Sequence, residues 1–197
     1  QGARDCEGWI KLVWIETKID LCKSHIHFCN KRGMLNQLDF FQEIDYLIKT
    51  AIAAEWKAQG HNLSGEAIRQ IDSVVTRIAG GERIDYYILD YMAYNNSGVT
   101  AAKIPYSPGS GKKTSKYIAG LTEYVKKRMG KGDKEAQSIA FAIASKHKKE
   151  GMPTKASARF SSTGRRTGFI EAALDGVEPE LARLIERGVE ESINFVL

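Results

Sequence analysis

The hydrophobic period of this chain changes twice, from helical to alternating and back to helical, and that restricts it to a mixed architecture. Over residues 37–59, Phe41, Ile44, Ile48, Ala51 and Glu55 fall on one side of a helix, and Phe40, Leu47 and Ile52 widen the apolar face. Gly60 is a natural C-terminal stop, and Ser64 caps a short helix that runs to Arg69 with Glu66 in its first turn. The period then becomes two. Ile71, Ser73 and Val75 share one side of a first run, and Ile84, Tyr86 and Ile88 share one side of a second. Gly80-Gly81 between them signals a hairpin, with a connection expected to exceed two residues. Tyr91, Tyr94 and Asn95-Asn96 follow, and Gly98 closes the segment.

From Lys116 the helical period returns. Ile118, Leu121 and Val125 mark a helix over 116–129, punctuated by Gly130 and Gly132. Asp133 is the expected cap of a helix reaching about Glu150, whose face of Ile139, Ala140, Ile143 and Ala144 is small enough to pack close to a neighbour. A last helix is expected to open at Glu178-Pro179, with the proline in its first turn and a stripe of Leu181, Leu184, Ile185, Val189, Ile193 and Val196. Near the start, residues 9–21 favour a strand and residues 30–33 a turn. The expected fold class is α+β: a small antiparallel β-sheet packed against several α-helices, with long exposed basic loops. Residues 1–34 form an N-terminal extension and residues 35–197 a single domain.

The formal net charge of +5 hides an uneven arrangement. Residues 103–166 hold sixteen Lys and Arg against four Asp and Glu, residues 1–102 hold eleven against thirteen, and residues 167–197 hold two against seven. A basic middle with an acidic tail suits contact with nucleic acid, or packing of copies through opposite charges. Hydrophobic residues make up 43% of the chain, enough for a real core. No apolar run approaches the roughly 20 residues of a membrane-spanning helix, and the first residues lack the order of a signal peptide. The chain begins at Gln1, so processing or a different start is open; a soluble protein made in a cytoplasm is the expectation. Three cysteines do not imply a disulfide framework.

Two motifs invite chemistry and support little of it. Cys22, His25, His27 and Cys29 are metal-like residue types, with Cys6 as a further thiolate, but their spacing matches no standard zinc knuckle. A buried thiol and surface imidazoles are the preferred reading, so no metal and no cofactor is expected. Residues 109–114 (GSGKKT) echo a phosphate-binding loop, yet Tyr106 stands where the first glycine belongs and Lys113 where Ser or Thr would hold magnesium. His61 and His147 have no nucleophile or carboxylate at useful local spacing, and no nucleophile elbow or dinucleotide fingerprint occurs. A catalytic role is therefore not expected.

Several segments, in order, resemble the minor structural proteins that complete the neck and tail of tailed bacteriophages. Ala54-Glu55-Trp56-Lys57, His61-x-Leu63-Ser64-Gly65 and Ile71 are similar to that family's early helix and the turn before its sheet. Tyr94-x2-Ser97-Gly98-Val99 with Ile104-Pro105, and Tyr117-Ile118-x2-Leu121 through Arg128-Met129, resemble later stretches. The most specific likeness is Ser138-Ile139-Ala140-x-Ala142-Ile143-Ala144 followed by Lys149-Glu150-Gly151-Met152-Pro153-Thr154. Gly168-Phe169-Ile170-x-Ala172-x-Leu174 and the terminal helix resemble the family's C-terminal end. The resemblance covers about residues 36–197 and implies a non-enzymatic virion protein, assembled in the host cytoplasm as a homo-oligomeric ring that joins head and tail. Portal or connector proteins, tail proteins and passing genomic DNA are the implied partners, with no membrane. Residues 1–34 depart from the pattern.

The surfaces expected to meet neighbouring subunits or DNA are basic loops carrying Lys112, Lys113, Lys116, Lys155, Arg159, Arg165 and Arg166. Glu180, Glu186, Glu190 and Glu191 form the candidate acidic partner face. Residues 106–116 and 151–167 are expected to be ordered mainly by neighbours. The competing class is a basic nucleic-acid-binding protein, whose complexes would weaken steeply with salt. Few aromatics accompany the basic residues, which argues against base stacking.

Overall fold

The computed structural model of the chain describes residues 9–12, 33–78, 81–109 and 115–196, with side chains described over 40–76, 83–109 and 115–190. Three strands, β1 (Trp9–Leu12), β2 (Asp72–Ile78) and β3 (Gly81–Leu89), form an antiparallel sheet in the order β1-β3-β2. The helices are α1 (Gly33–Ala58), α2 (Glu66–Arg69), α3 (Asp90–Ser97), α4 (Lys116–Met129), α5 (Asp133–Glu150) and α6 (Phe169–Val196). Short 3-10 turns lie at Ala101–Lys103 and Lys155–Phe160. The fold is therefore α+β, as the changes of period require. The strand expected over 9–21 is present at its first residues, and residues 13–21 lie outside the described ones.

The chain divides into two compact units, one built from residues 1–55, 67–90 and 169–197, the other from 56–66 and 91–168. The first unit contains the sheet, most of α1 and all of α6. On α1, Ile44, Ile48 and Ile52 are buried four residues apart, so successive turns add to one ridge. The central strand β3 buries Tyr86 and Ile88 from the alternating set that the sequence marks, and Asp85 as well, held by Arg83 at 3.0 Å. Asp85 and Tyr86 are adjacent and so point to opposite faces, both covered at this place in β3; the edge strand β2 leaves Val74 and Val75 exposed. Pairing runs to Ile78↔Gly81, so only residues 79–80 separate the strands, a shorter connection than the one expected. Helix α1 likewise starts four residues before the expected position 37.

Helix α6 departs most from expectation. It begins at Phe169, and Pro179 sits inside it rather than at its start. Phe169 and Ala173 are buried one turn apart, and Ile170, Leu174 and Val177 are half-buried. The apolar stripe seen after Pro179 thus already exists before it, and packing overrides the proline. Pro179 is exposed, and so is Asp175, whose carbonyl loses its intrahelical donor. Towards the far end, Gly188 lies against the Phe40 ring and Arg187 pairs with Glu43, which lays α6 beside the start of α1.

The second unit is built on the α4–α5 hairpin. Ser115 caps α4 by accepting from the Ile118 N–H at 3.2 Å, and Gly130 closes it in the left-handed conformation. Gly132, not Asp133, is the N-cap of α5; Asp133 is its first helical residue. Ile118 and Val125 face Ala136, Ala140 and Ala144, all buried. Lys126–Asp133 at one end and Tyr117–His147 at the other fix the helices as antiparallel. Residues before α4 are not an open loop throughout: Ile104 is buried, its carbonyl accepts from Lys148 at 3.2 Å, and Tyr106 packs towards Phe141. Residues 110–114 lie outside the described ones.

A proline at a helix start is nearly neutral, whereas one in a helix interior costs about 3 kcal/mol relative to alanine. Pro179→Ala should therefore stabilise the protein by about 1–3 kcal/mol, read as a higher urea midpoint. An unchanged midpoint would place the true helix start at Glu178.

Candidate subunit interface

Three lysines account for every carboxylate within residues 103–166. Lys126 holds Glu123 at 2.7 Å and Asp133 at 2.8 Å, Lys131 holds Glu135 at 2.7 Å, and Lys146 holds Glu150 at 2.5 Å. Being paired twice raises the Lys126 ammonium above its usual range, through hydrogen bonds to Asp133 and then Glu123, and the same contact lowers the Asp133 carboxyl. Such exposed pairs contribute little to stability. Their consequence is subtractive: Lys103, Lys116, Lys127, Arg128, Lys134, Lys149, Arg159 and Arg165 are exposed with no carboxylate partner among the described residues.

The division into units keeps the charge separation of the linear sequence and assigns each sign to its own compact unit. The unit of residues 56–66 and 91–168 carries seventeen Lys and Arg against five Asp and Glu, a net charge of +12. The other unit carries twelve against nineteen, a net charge of −7.

Residues 151–167 prove to be tied down by their own unit. Val99 and Met152 exchange backbone hydrogen bonds at 2.6 and 2.7 Å, and the Met152–Pro153 peptide is cis. Further on, the segment grips the end of α1. The Ser162 N–H donates to the Ala58 carbonyl at 2.8 Å, with the Ser162 and Ser161 hydroxyls on the same oxygen at 3.0 and 3.3 Å. The buried Gln59 amide donates to the Thr167 carbonyl at 3.2 Å, and Arg166 donates to the Gly60 carbonyl at 3.4 Å. The last carbonyls of a helix lack intrahelical donors and carry partial negative charge, so hydroxyls, an N–H and a guanidinium are the groups that suit them.

Arg166, grouped by sequence with the free loop cations, is thus half-buried and occupied at a helix end. Its neighbour His61 stacks on Trp56 with ring centroids 4.6 Å apart. Burial, and then the Arg166 charge, hold the His61 imidazole down at about 4. His147, likewise without a local partner in sequence, meets the Tyr117 hydroxyl at 2.6 Å; burial lowers this imidazole and pushes Tyr117 up to about 12.

The remaining predicted residues are distributed as follows. Lys116 is the exposed first residue of α4. Lys155 is exposed at the start of its 3-10 turn, and its N–H donates to Glu150 at 3.3 Å. Arg159 lies over the Phe160 ring, 4.8 Å from its centroid, and Arg165 is exposed. Lys112 and Lys113 lie outside the described residues, as do Cys22, His25, His27 and Cys29; among the described residues no group of three or more His, Cys, Asp and Glu is placed to hold a metal ion.

Glu180, Glu186 and Glu190 are exposed on α6, and the Glu191 side chain lies outside the described ones. At roughly 100° per residue, Asp175, Glu178, Glu186 and Glu190 fall within about 120° of each other, while Glu180 borders the opposite flank of the apolar stripe. The acidic face is therefore composed differently from the one expected. Its signal, a carboxylate at 171, 175 and 178, is present in the sequence but is hidden when the helix is started at Pro179.

Two measurements check the grip on α1. Gly60 has φ +72°, and an added Cβ would stand 2.1 Å from the Phe160 carbonyl oxygen; Gly130 has φ +63° with nothing near. Gly130→Ala should cost about 1–2 kcal/mol for the left-handed backbone alone, and Gly60→Ala clearly more, in urea unfolding. The depressed His61 value means that the unfolded chain takes up a proton below about 6.5 while the folded chain resists until about 4. Stability should therefore fall as pH drops through that window, and His61→Gln should flatten the slope. No family model matches this chain, and neither a curated protein nor a solved structure matches it.

Proposed function

We propose that this chain is a virion structural protein of a tailed bacteriophage, assembling as a ring at the neck or the top of the tail to join head and tail. The observation that carries the reading is the separation of charge between the two compact units, +12 on one and −7 on the other. Each copy then presents both halves of an electrostatic contact, and identical copies can join head to tail by a heterologous interface that closes on itself. The ordered likeness of residues 36–197 to neck and tail-completion proteins supports the same reading. In this role the chain is not a catalyst. Portal and tail proteins are its further partners, and the virion, assembled in the host cytoplasm, is its location.

A second reading rests on the eight exposed Lys and Arg of the basic unit without carboxylate partners among the described residues: the unit holds nucleic-acid phosphates directly. Such complexes lose affinity steeply with salt because they release condensed counterions. No described helix is long and apolar enough to cross a membrane.

The neck reading predicts a native mass that is a multiple of 21.9 kDa, and the protein in purified virions at a fixed copy number per particle. A monomer missing from virions, with tight salt-sensitive binding to free duplex, is the outcome that replaces it with the second reading.

A further inference from the structure

We infer that the surface carrying Arg128, Arg159 and Arg165 on the basic unit receives the acidic outer stripe of α6 from a second copy of this chain. This rests on the assembly reading above and specifies its two faces.

The receiving surface is held in place by the grip on α1. Arg166 is fixed on the Gly60 carbonyl at 3.4 Å, and Gly60 is packed against the Phe160 backbone. Arg159 is laid over the Phe160 ring at 4.8 Å. From α4, Arg128 comes near enough to Arg166 for its charge to act on the guanidinium, and the Tyr124 phenol lies close to the same group. Phe160 and Tyr124 remain 53% and 41% exposed beside these cations. No described carboxylate pairs with Arg128, Arg159 or Arg165. Arginines gathered without counter-charge repel one another, and planar guanidiniums match carboxylates in bidentate geometry. An external anionic face both removes the repulsion and satisfies the donors.

The α6 stripe has the complementary defect. Asp175, Glu178, Glu186 and Glu190 are exposed along about 22 Å of helix. The cations on α6 are engaged elsewhere: Arg187 is turned to Glu43 and Arg183 donates to the Pro179 carbonyl at 3.3 Å. A second copy is favoured over a nucleic acid because every copy supplies this stripe in equal number. In addition, two exposed aromatic side chains are few for stacking bases.

The test compares three full-length proteins by native mass at low and high salt, with circular dichroism to establish folding. They are wild type, an acid-face variant D175K/E178K/E186K/E190K, and a basic-face variant R128E/R159E/R165E. Wild type should assemble at low salt and dissociate at high salt. Each variant alone should be monomeric and folded, and mixing the two should restore oligomers, because each reversed face then meets its opposite. The proposal is overturned if either folded variant assembles like wild type, or if the mixture stays monomeric. It is also overturned if the basic-face substitutions abolish binding to a short DNA duplex while leaving assembly intact, which assigns that surface to nucleic acid. Incorporation into virions is scored separately. A normal virion content of the acid-face variant overturns the interface and leaves the neck role standing. Charge-dependent rings that are missing from virions overturn the neck role alone.

Discussion

The unsatisfied carbonyls at the end of α1 are the constraint on which the second unit depends. Helix α1 ends at Ala58, and the turn through Gly60 leaves the Ala58 and Gly60 oxygens seeking donors. The chain supplies them from about a hundred residues downstream, with Ser161, Ser162 and Arg166. The arrangement closes a long loop, so its entropic penalty is set mainly by loop length and changes only slowly with it. What it gains is local order: Gln59 is buried against Thr167, His61 is confined between Trp56 and Arg166, and Phe160 is brought over Gly60.

That order changes what the basic residues are for. A loop rich in lysine and arginine is ordinarily a solvated surface whose charges move independently. Here one arginine is consumed as a helix cap and its neighbours are presented on a fixed segment. Elsewhere in the unit, carboxylates take up Lys126, Lys131 and Lys146. The exposed charge that survives is therefore a remainder after internal pairing. On α6 the opposite occurs: carboxylates outnumber cations, and both arginines of the helix are turned to other partners.

Much of the architecture was legible because hydrophobic period is a local property. The bounds of α4, the extent of α5 and the β2–β3 hairpin follow from residues within one or two turns of each other. The misreadings share a cause. Pro179 is locally a helix-starting residue, and only the burial of Phe169 and Ala173 outweighs that preference. Asp133 is locally a cap, but Gly132 takes the cap position and Lys126 draws the carboxylate. Ile104 reads as part of a proline- and glycine-rich loop until Lys148 and Phe141 are placed beside its segment.

By itself the sequence determined the class of fold, the positions of most helices, and a strong excess of positive charge in its middle. Those depend on composition and on spacings of two to four residues. Only the tertiary structure decided that Arg166 serves the end of α1, that residues 151–167 are anchored by their own unit, and that His147 meets Tyr117. The physical reason is that these outcomes depend on partners 30 to 108 residues away in the chain, and a hydrogen bond or ion pair at that separation leaves no periodic trace in the sequence.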